Sequence, residues 1–237
     1  SISNFSDLHP LENENSIQLK WVKKLENLEI FDFIILPGSK QTIKDQIFLE
    51  ESGLSREIRS YSLGEGNIIG ICGGLQMLGK SLEDPYLKEG SNILKKEING
   101  IGILPLRTIF NKRKQTRQVC CNSLWPCEAV IDGFEIHNGE SDLITQNEGL
   151  KIKQLFKEDN LGWYFENDKG GSTLGTYIHG IFENDLWRES YIDLIRSKKG
   201  LPILDKRIKN YKIKRDSIIE NLAIQFNKYI NLSNFLN

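Results

Sequence analysis

Apolar residues gather in short bursts over the first third of the chain, and turn-forming residues close each burst. Ile30 to Leu36 is apolar-rich, is closed by Pro37-Gly38, and reads as a buried strand. Thr42 to Glu51 and Leu54 to Leu63 read as helices with polar faces outward. Ile68 to Ile71 reads as a second short buried strand, and Leu75 to Leu82 as the helix after it. The middle of the chain changes character. Ile101 to Leu106, Arg117 to Cys121, Cys127 to Ile131 and Phe134 to His137 read as β, with Asn111 to Arg117 a basic, solvated turn. Strands at Trp163 to Phe165 and Leu174 to Ile178 flank a polar turn, Asn167-Asp168-Lys169-Gly170-Gly171. From Asp185 the pattern is helical, Leu186 to Ser197 and then Lys212 to Ile230, with a break at Gly200-Leu201-Pro202.

Short strands alternating with helices, followed by β-rich segments, predict an α/β fold. Its mixed central sheet is covered by helices on both faces. The length of 237 residues suits one large domain over residues 1–190, with a helical extension over 191–237 packed on it. No internal repeat or low-complexity tract is present.

Charge changes the picture by exclusion. Lys and Arg number 31 against 32 Asp and Glu, for a net charge of −1, so no nucleic-acid footprint is expected. No apolar stretch approaches a membrane span, and the first residues carry no signal-peptide core. Four cysteines without framework spacing point to a reducing, cytoplasmic setting. Cys120, Cys121 and Cys127 cluster, but their spacing fits no common zinc pattern and no His is interleaved. They read as structural thiols, and no metal site is expected. Gly38-Ser39-Lys40-Gln41-Thr42 has a Lys after Gly-Ser but lacks the upstream glycine of a phosphate loop, so no ATP site is expected here.

The chemistry concentrates at Asn67-Ile68-Ile69-Gly70-Ile71-Cys72-Gly73-Gly74-Leu75-Gln76-Met77-Leu78-Gly79. Gly70-x-Cys72-x-Gly74 has the form of a nucleophile elbow with Cys in place of Ser. A strand-to-helix turn this tight leaves no room for side chains beside the nucleophile, hence the flanking glycines. The helix that follows points unpaired N–H groups at the sulfur and favours thiolate. A second β-prone run, Thr173-Leu174-Gly175-Thr176-Tyr177-Ile178-His179-Gly180-Ile181-Phe182, ends in a histidine followed by glycine. Cys72 and His179 suit a nucleophile and its base.

Five segments, in order, carry a family resemblance. Ile2-Ser3-Asn4-Phe5-Ser6-Asp7 before Pro10-Leu11, Ile34-Ile35-Leu36-Pro37-Gly38-Ser39-Lys40-Gln41-Thr42, and Gly70-Ile71-Cys72-Gly73-Gly74-Leu75-Gln76-Met77-Leu78-Gly79 are three. Gly133-Phe134-Glu135-Ile136-His137-Asn138-Gly139 and Gly175-Thr176-Tyr177-Ile178-His179-Gly180-Ile181-Phe182 complete the set. Together they resemble the class I, triad-type glutamine amidotransferases, and within that group the C-terminal glutaminase domains of cobyric acid synthases. The resemblance spans Ile2 to Phe182 and implies the flavodoxin-like sheet of that class.

It also implies the reaction. Cys72 forms a γ-glutamyl thioester and His179 serves as general base, then acid. The backbone N–H of Gly73 and those of the Gly38-Ser39 turn, which the resemblance places across from the elbow, hold the oxyanion. Gln76 contacts the bound glutamine. Glu135 and His137 share one strand face and are candidates for the site, with a structural role equally open for each. The wider class carries Glu two residues after the catalytic His. Ile181 stands there, as in the cobyric acid synthase group, and the third catalytic group is left open; Glu183 is not assigned to it.

The resemblance implies partners too. An N-terminal ATP-dependent synthetase domain, with ATP and Mg, activates carboxylates of a corrin acceptor for amidation, and no cofactor is expected within this chain. The chain reads as the C-terminal half of such an enzyme. Related readings are the glutaminases of cobyrinic acid a,c-diamide synthase and of lipid II amidation, a silent scaffold of the same fold, and a stress-type Cys hydrolase. The Leu-Pro-Gly-Ser-Lys loop, the Ile-Ser-Asn-Phe opening and the retained Cys72, Gln76 and His179 favour the first reading over all of these.

Overall fold

The computed structural model describes residues 1–89, 96–144, 151–204 and 210–229. An N-terminal 3-10 turn, Phe5–Leu8, runs into the short helix α1, His9–Glu12. Asn27 then caps a 3-10 turn at Leu28–Ile30, its side chain accepting from Glu29 N at 2.9 Å. That turn occupies the start of the expected first strand, so β1 is only Ile34–Leu36. Helices α2, Thr42–Glu51, and α3, Leu54–Leu63, lie where the pattern predicts.

Strand β2, Asn67–Ile71, is buried at every residue. Helix α4, Gly73–Leu78, follows directly and is shorter than expected, because Gly79 leaves the helical conformation and the chain enters β3, Ser81–Glu83. Strand β4 is Glu97–Asn99. The expected strand at Ile101 is instead a turn that satisfies the end of α4. Ile101 N donates to Met77 O (2.7 Å), while Ile103 N and Leu104 N donate to Leu78 O (3.0 and 2.9 Å).

The three remaining expected β segments resolve into two long strands, β5, Leu106–Ser123, and β6, Ala129–Leu143. Asn111 to Arg117 therefore lies in strand and is not a turn; the β5–β6 register shifts between Phe110 and Gln115. Lys114 to Gln118 are exposed. A ribbon in water needs no alternation of apolar residues, which is why its charges resemble a loop. Short β7, Lys153–Gln154, precedes β8, Gly162–Glu166, and β9, Ser172–Thr176. Helix α5, Asp185–Lys198, and helix α6, Tyr211–Tyr229, close the described chain; Ile230 lies outside the described residues.

Two sheets result. The central one has the order β1-β2-β9-β8-β7, with β1, β2 and β9 parallel and β8 and β7 antiparallel. The second has the order β4-β3-β5-β6. Alternation along β2 divides the core. Ile69 and Ile71 pack with Leu174, Trp187 and Tyr191 on the α5 side, while Ile68 packs with Leu36, Leu54, Ile58 and Leu75 on the other. The mixed α/β sheet flanked by helices is as expected.

One buried ion pair fixes the N-terminal segment. Arg188 of α5, fully buried, donates to Glu14 Oε1 (2.9 Å), Phe182 O (2.7 Å) and Asp185 Oδ1 (2.9 Å). Glu14 is buried as well, so residues just after α1 are clamped to the segment that follows β9. Helix α6 buries only Tyr211 among its residues and is tied down near its start by Lys212–Asp132 (3.1 Å) and by Arg215 on Glu183. Among the described residues no helix is long and apolar enough to cross a membrane.

Candidate active site

The elbow is built where β2 stops. Cys72 follows Ile71 with φ 51° and ψ −107°, a left-handed backbone that few non-glycine residues adopt. Its N–H donates to Thr176 O at 2.7 Å, which locks the turn to β9. Gly74 must be glycine, since a Cβ there would lie 1.9 Å from Leu36 O. That close approach lets α4 start immediately under the sheet. The strain at Cys72 is thus held by pairing on one side and packing on the other.

Three residues past the end of β9, His179 forms a bridge with Phe134 of β6. His179 N donates to Phe134 O (2.8 Å), Phe134 N to His179 O (3.2 Å), and the two rings stack with centroids 5.1 Å apart. The same strand brings Ile136 O to 3.5 Å from Cys72 Sγ. Strand β6 therefore crosses over both catalytic candidates. His179 is completely buried, and its Nε2 has no hydrogen-bond partner among the described residues.

His179 Nδ1 lies 2.7 Å from Asp7 Oδ2. Asp7 is buried at 1% exposure, and its other oxygen accepts from Gly180 N (2.9 Å) and Asn4 Nδ2 (3.1 Å). A carboxylate so held fixes the imidazole with its proton on Nδ1 and Nε2 free for the sulfur. Burial alone lowers the His179 pKa, but the Asp7 hydrogen bond and the charges of Asp7 and Cys72 outweigh it and push it up to about 10. Asp7 was missed as a third group in the sequence. It stands inside the Ile2-to-Asp7 segment, so the signal was a carboxylate in a matching motif with no role attached. Ile181, where the wider class has Glu, is fully buried in the apolar core, and Glu183 pairs with Arg215 instead.

The Gly38-Ser39 turn faces the elbow. A Cβ on Gly73 would lie 2.8 Å from Ser39 N, and one on Gly38 would lie 2.9 Å from His179 Cε1 and 3.7 Å from Cys72 Cβ. The N-terminal segment sets the orientation. Ile2 bridges Ser39, with Ser3 N on Gly38 O (2.8 Å) and Lys40 N on Ser1 O (3.0 Å). In an antiparallel bridge of this kind the Ser39 N–H points away from Ile2. Gly73 and Ser39 thus lie against each other beside Cys72.

Gln76 is buried rather than exposed. Its Oε1 accepts from Thr42 Oγ1 (3.4 Å) and its Nε2 reaches Gly139 O (3.5 Å) and Tyr177 Oη (3.4 Å). These contacts are long, as suits an amide that can exchange partners for a ligand. Glu135 and His137 do share a face, 3.5 Å apart. Glu135 also pairs with Arg117, and His137 Nδ1 meets Gly139 O at 2.6 Å while its ring stacks on Tyr177 at 3.9 Å. Burial would raise the Glu135 pKa; hydrogen bonds with His137 and Arg117 outweigh this and hold it below the usual range. Both residues are thereby engaged in a network that borders Gln76.

Cys120 is exposed, Cys121 buried and Cys127 intermediate, and all four cysteines are free. Burial pushes the Cys121 thiol up to about 12, which leaves it inert. Among the described residues no group of three or more His, Cys, Asp or Glu is placed to hold a metal ion.

Comparison with known proteins follows the same lines. Residues 1–187 match the CobB/CobQ-like glutamine amidotransferase domain. A cobyric acid synthase from Prochlorococcus marinus strain MIT 9215 is 62% identical over 237 residues, all of this chain and 47% of that protein. Another, from strain NATL2A, is 47% identical over 98% of this chain and 46% of its own length. The chain spans about half the length of these curated relatives. A solved glutamine amidotransferase superposes with a TM-score of 0.57 at 18% identity, covering 82% of this chain and 95% of that one, which shows the shared fold. With its elbow cysteine and buried histidine in that fold, the chain belongs to the CobB/CobQ-like glutamine amidotransferase family.

Proposed function

We propose that this chain hydrolyses glutamine at Cys72 and supplies the ammonia to an ATP-dependent synthetase half, as the glutaminase of a cobyric acid synthase. The observation that carries the chemistry is the buried Asp7–His179 pair at the cysteine elbow. His179 takes the thiol proton, and the thiolate attacks the side-chain amide carbon of glutamine. The carbonyl oxygen becomes an oxyanion held by the N–H groups of Gly73 and the Gly38-Ser39 turn. The intermediate collapses, His179 Nε2 protonates the leaving nitrogen, and ammonia departs, leaving a γ-glutamyl thioester. Water then attacks the thioester with His179 as base. Glutamate leaves and the thiol is restored.

The acceptor half of the reading rests on the relatives, which carry the name cobyric acid synthase and are about twice as long as this chain. In that reading ATP and Mg bind the synthetase half, and the ammonia amidates carboxylates of adenosylcobyrinic acid a,c-diamide. The test joins the chain to the synthetase half of a relative, with ATP, glutamine and the corrin diamide. Corrin amidation that stops in Cys72→Ala and resumes with added ammonium is the expected result. Amidation of another acceptor only, or glutamine-dependent amidation that survives Cys72→Ala, overturns the reading.

A further inference from the structure

Helix α6 is anchored at its start and bare along the rest. Asp185 Oδ1 accepts from Tyr211 N (3.2 Å), Lys212 pairs with Asp132 (3.1 Å), and Arg215 pairs with Glu183. Tyr211 is buried there, its ring centre 6.0 Å from the guanidinium carbon of Arg188. From Asp216 to Tyr229 every residue is exposed. Among them are Ile218, Ile219, Leu222, Phe226 and Tyr229, with Leu222 at 64%. At about 3.6 residues per turn these five share with Tyr211 a stripe about 100° wide. Arg215, the one charge within that arc, is turned to Glu183. Asp216, Glu220, Asn227 and Lys228 lie off it, and Ile224 lies on the opposite face. Ile219, Leu222, Phe226 and Tyr229 are spaced by three, four and three residues, as in a helix seam that packs on a partner. The face that is buried at Tyr211 thus runs on uncovered for about 16 Å from Ile218 to Tyr229. Helices in proteins draw most of their stability from packing such a face, and a continuous exposed apolar patch marks an interaction surface.

The extent of the relatives says what covers it. The family domain matches residues 1–187, so α6 lies beyond it. The cobyric acid synthase that is 62% identical matches all of this chain, α6 included, and the match is only 47% of that protein. A helix outside the glutaminase domain therefore accompanies more than half a protein of further chain. A tethered half is present at an effective concentration of about millimolar, which gives it precedence over a second copy of the chain.

We propose that the α6 stripe is the docking face for the synthetase half, which presents an apolar groove to Leu222 and Phe226. The inference rests on the proposed pairing of this chain with such a half. The test joins the chain to the synthetase half of that relative through a protease-cleavable linker, cleaves it, and measures association by sedimentation. Leu222→Asp and Phe226→Asp should each raise Kd at least about tenfold, as for anchors at an interface centre. Ile224→Asp, the same change on the opposite face, should stay within about threefold. In the 237-residue chain alone, all three variants should keep the wild-type denaturant midpoint, sedimentation and glutamine hydrolysis. Cleaved halves that associate alike in all variants overturn the proposal. So does a midpoint that falls for the stripe variants alone, which means the chain covers its own stripe, or a wild-type dimer that they split. Corrin amidation by the linked wild type separates the two readings. If it amidates yet the cleaved halves part or ignore the stripe variants, only the docking inference fails; if it does not amidate and the halves part, the pairing fails and this inference with it.

Discussion

At the scale of single residues, the site depends on two buried side chains and one strained one. The Asp7 carboxylate keeps the His179 pKa raised, from an ordinary 6.5 to about 10. A raised pKa contributes stability that is fully present below about 6.5 and is lost as pH rises through about 10. Asp7→Asn should lower the alkaline limb of the glutaminase pH profile by at least about one unit and cut turnover at least about a hundredfold. A pH–rate series on both proteins checks this; an unmoved alkaline limb would show that Asp7 does not tune His179. Cys72 gives a separate prediction. Its φ of 51° is strained for any residue with a Cβ. Glycine normally destabilises relative to alanine by about 0.5–1 kcal/mol, but here the order should reverse. Cys72→Gly is expected to unfold at the same or higher denaturant than Cys72→Ala, with both inactive. A clearly weaker glycine variant would mean that the elbow is unstrained.

At the scale of elements, the N-terminal segment does more than its sequence announces. Glu14 and Arg188 clamp it to α5, and through that clamp Asp7 stays under His179. Glu14→Ala leaves a buried guanidinium without its carboxylate and should cost about 3–5 kcal/mol, read by denaturant unfolding. A loss under about 1 kcal/mol would mean that Asp185 and Phe182 O alone satisfy Arg188. The elbow strand, α2, α3 and the His179 strand were legible because they are buried in regular patterns or marked by glycines. The β5–β6 ribbon was not. The exposed positions Lys114 to Gln118 carry no burial signal, so the stretch resembles a turn. Helix α4 ends early because Ile101 to Leu104 return to bind its last carbonyls, a contact far away in sequence. Asp7 escaped notice for the same reason, since 172 residues separate it from His179.

At the scale of the whole molecule, the two halves of the proposed enzyme must act together, because free ammonia released with no acceptor ready is wasted glutamine. The N-terminal segment is suited to carry that coupling. Its residues around Ile2 pair with the Gly38-Ser39-Lys40 loop, the proposed source of an oxyanion donor, and a few residues on Asp7 holds His179. One short stretch therefore touches both halves of the catalytic arrangement. A displacement of about 1 Å in such groups can cost on the order of a hundredfold in rate. We expect the 237-residue chain alone to release ammonia slowly from glutamine. The rate should rise at least about tenfold when the synthetase half of a relative is supplied with ATP and the corrin acceptor. The gain should lie in kcat rather than KM, because aligning donors and base stabilises the transition state more than bound glutamine. Steady-state ammonia release with and without the partner half measures it. If the chain alone reaches the full rate, and partner, ATP and acceptor leave it unchanged, then residues 1–7 already hold the site in its working geometry and coupling must reside elsewhere.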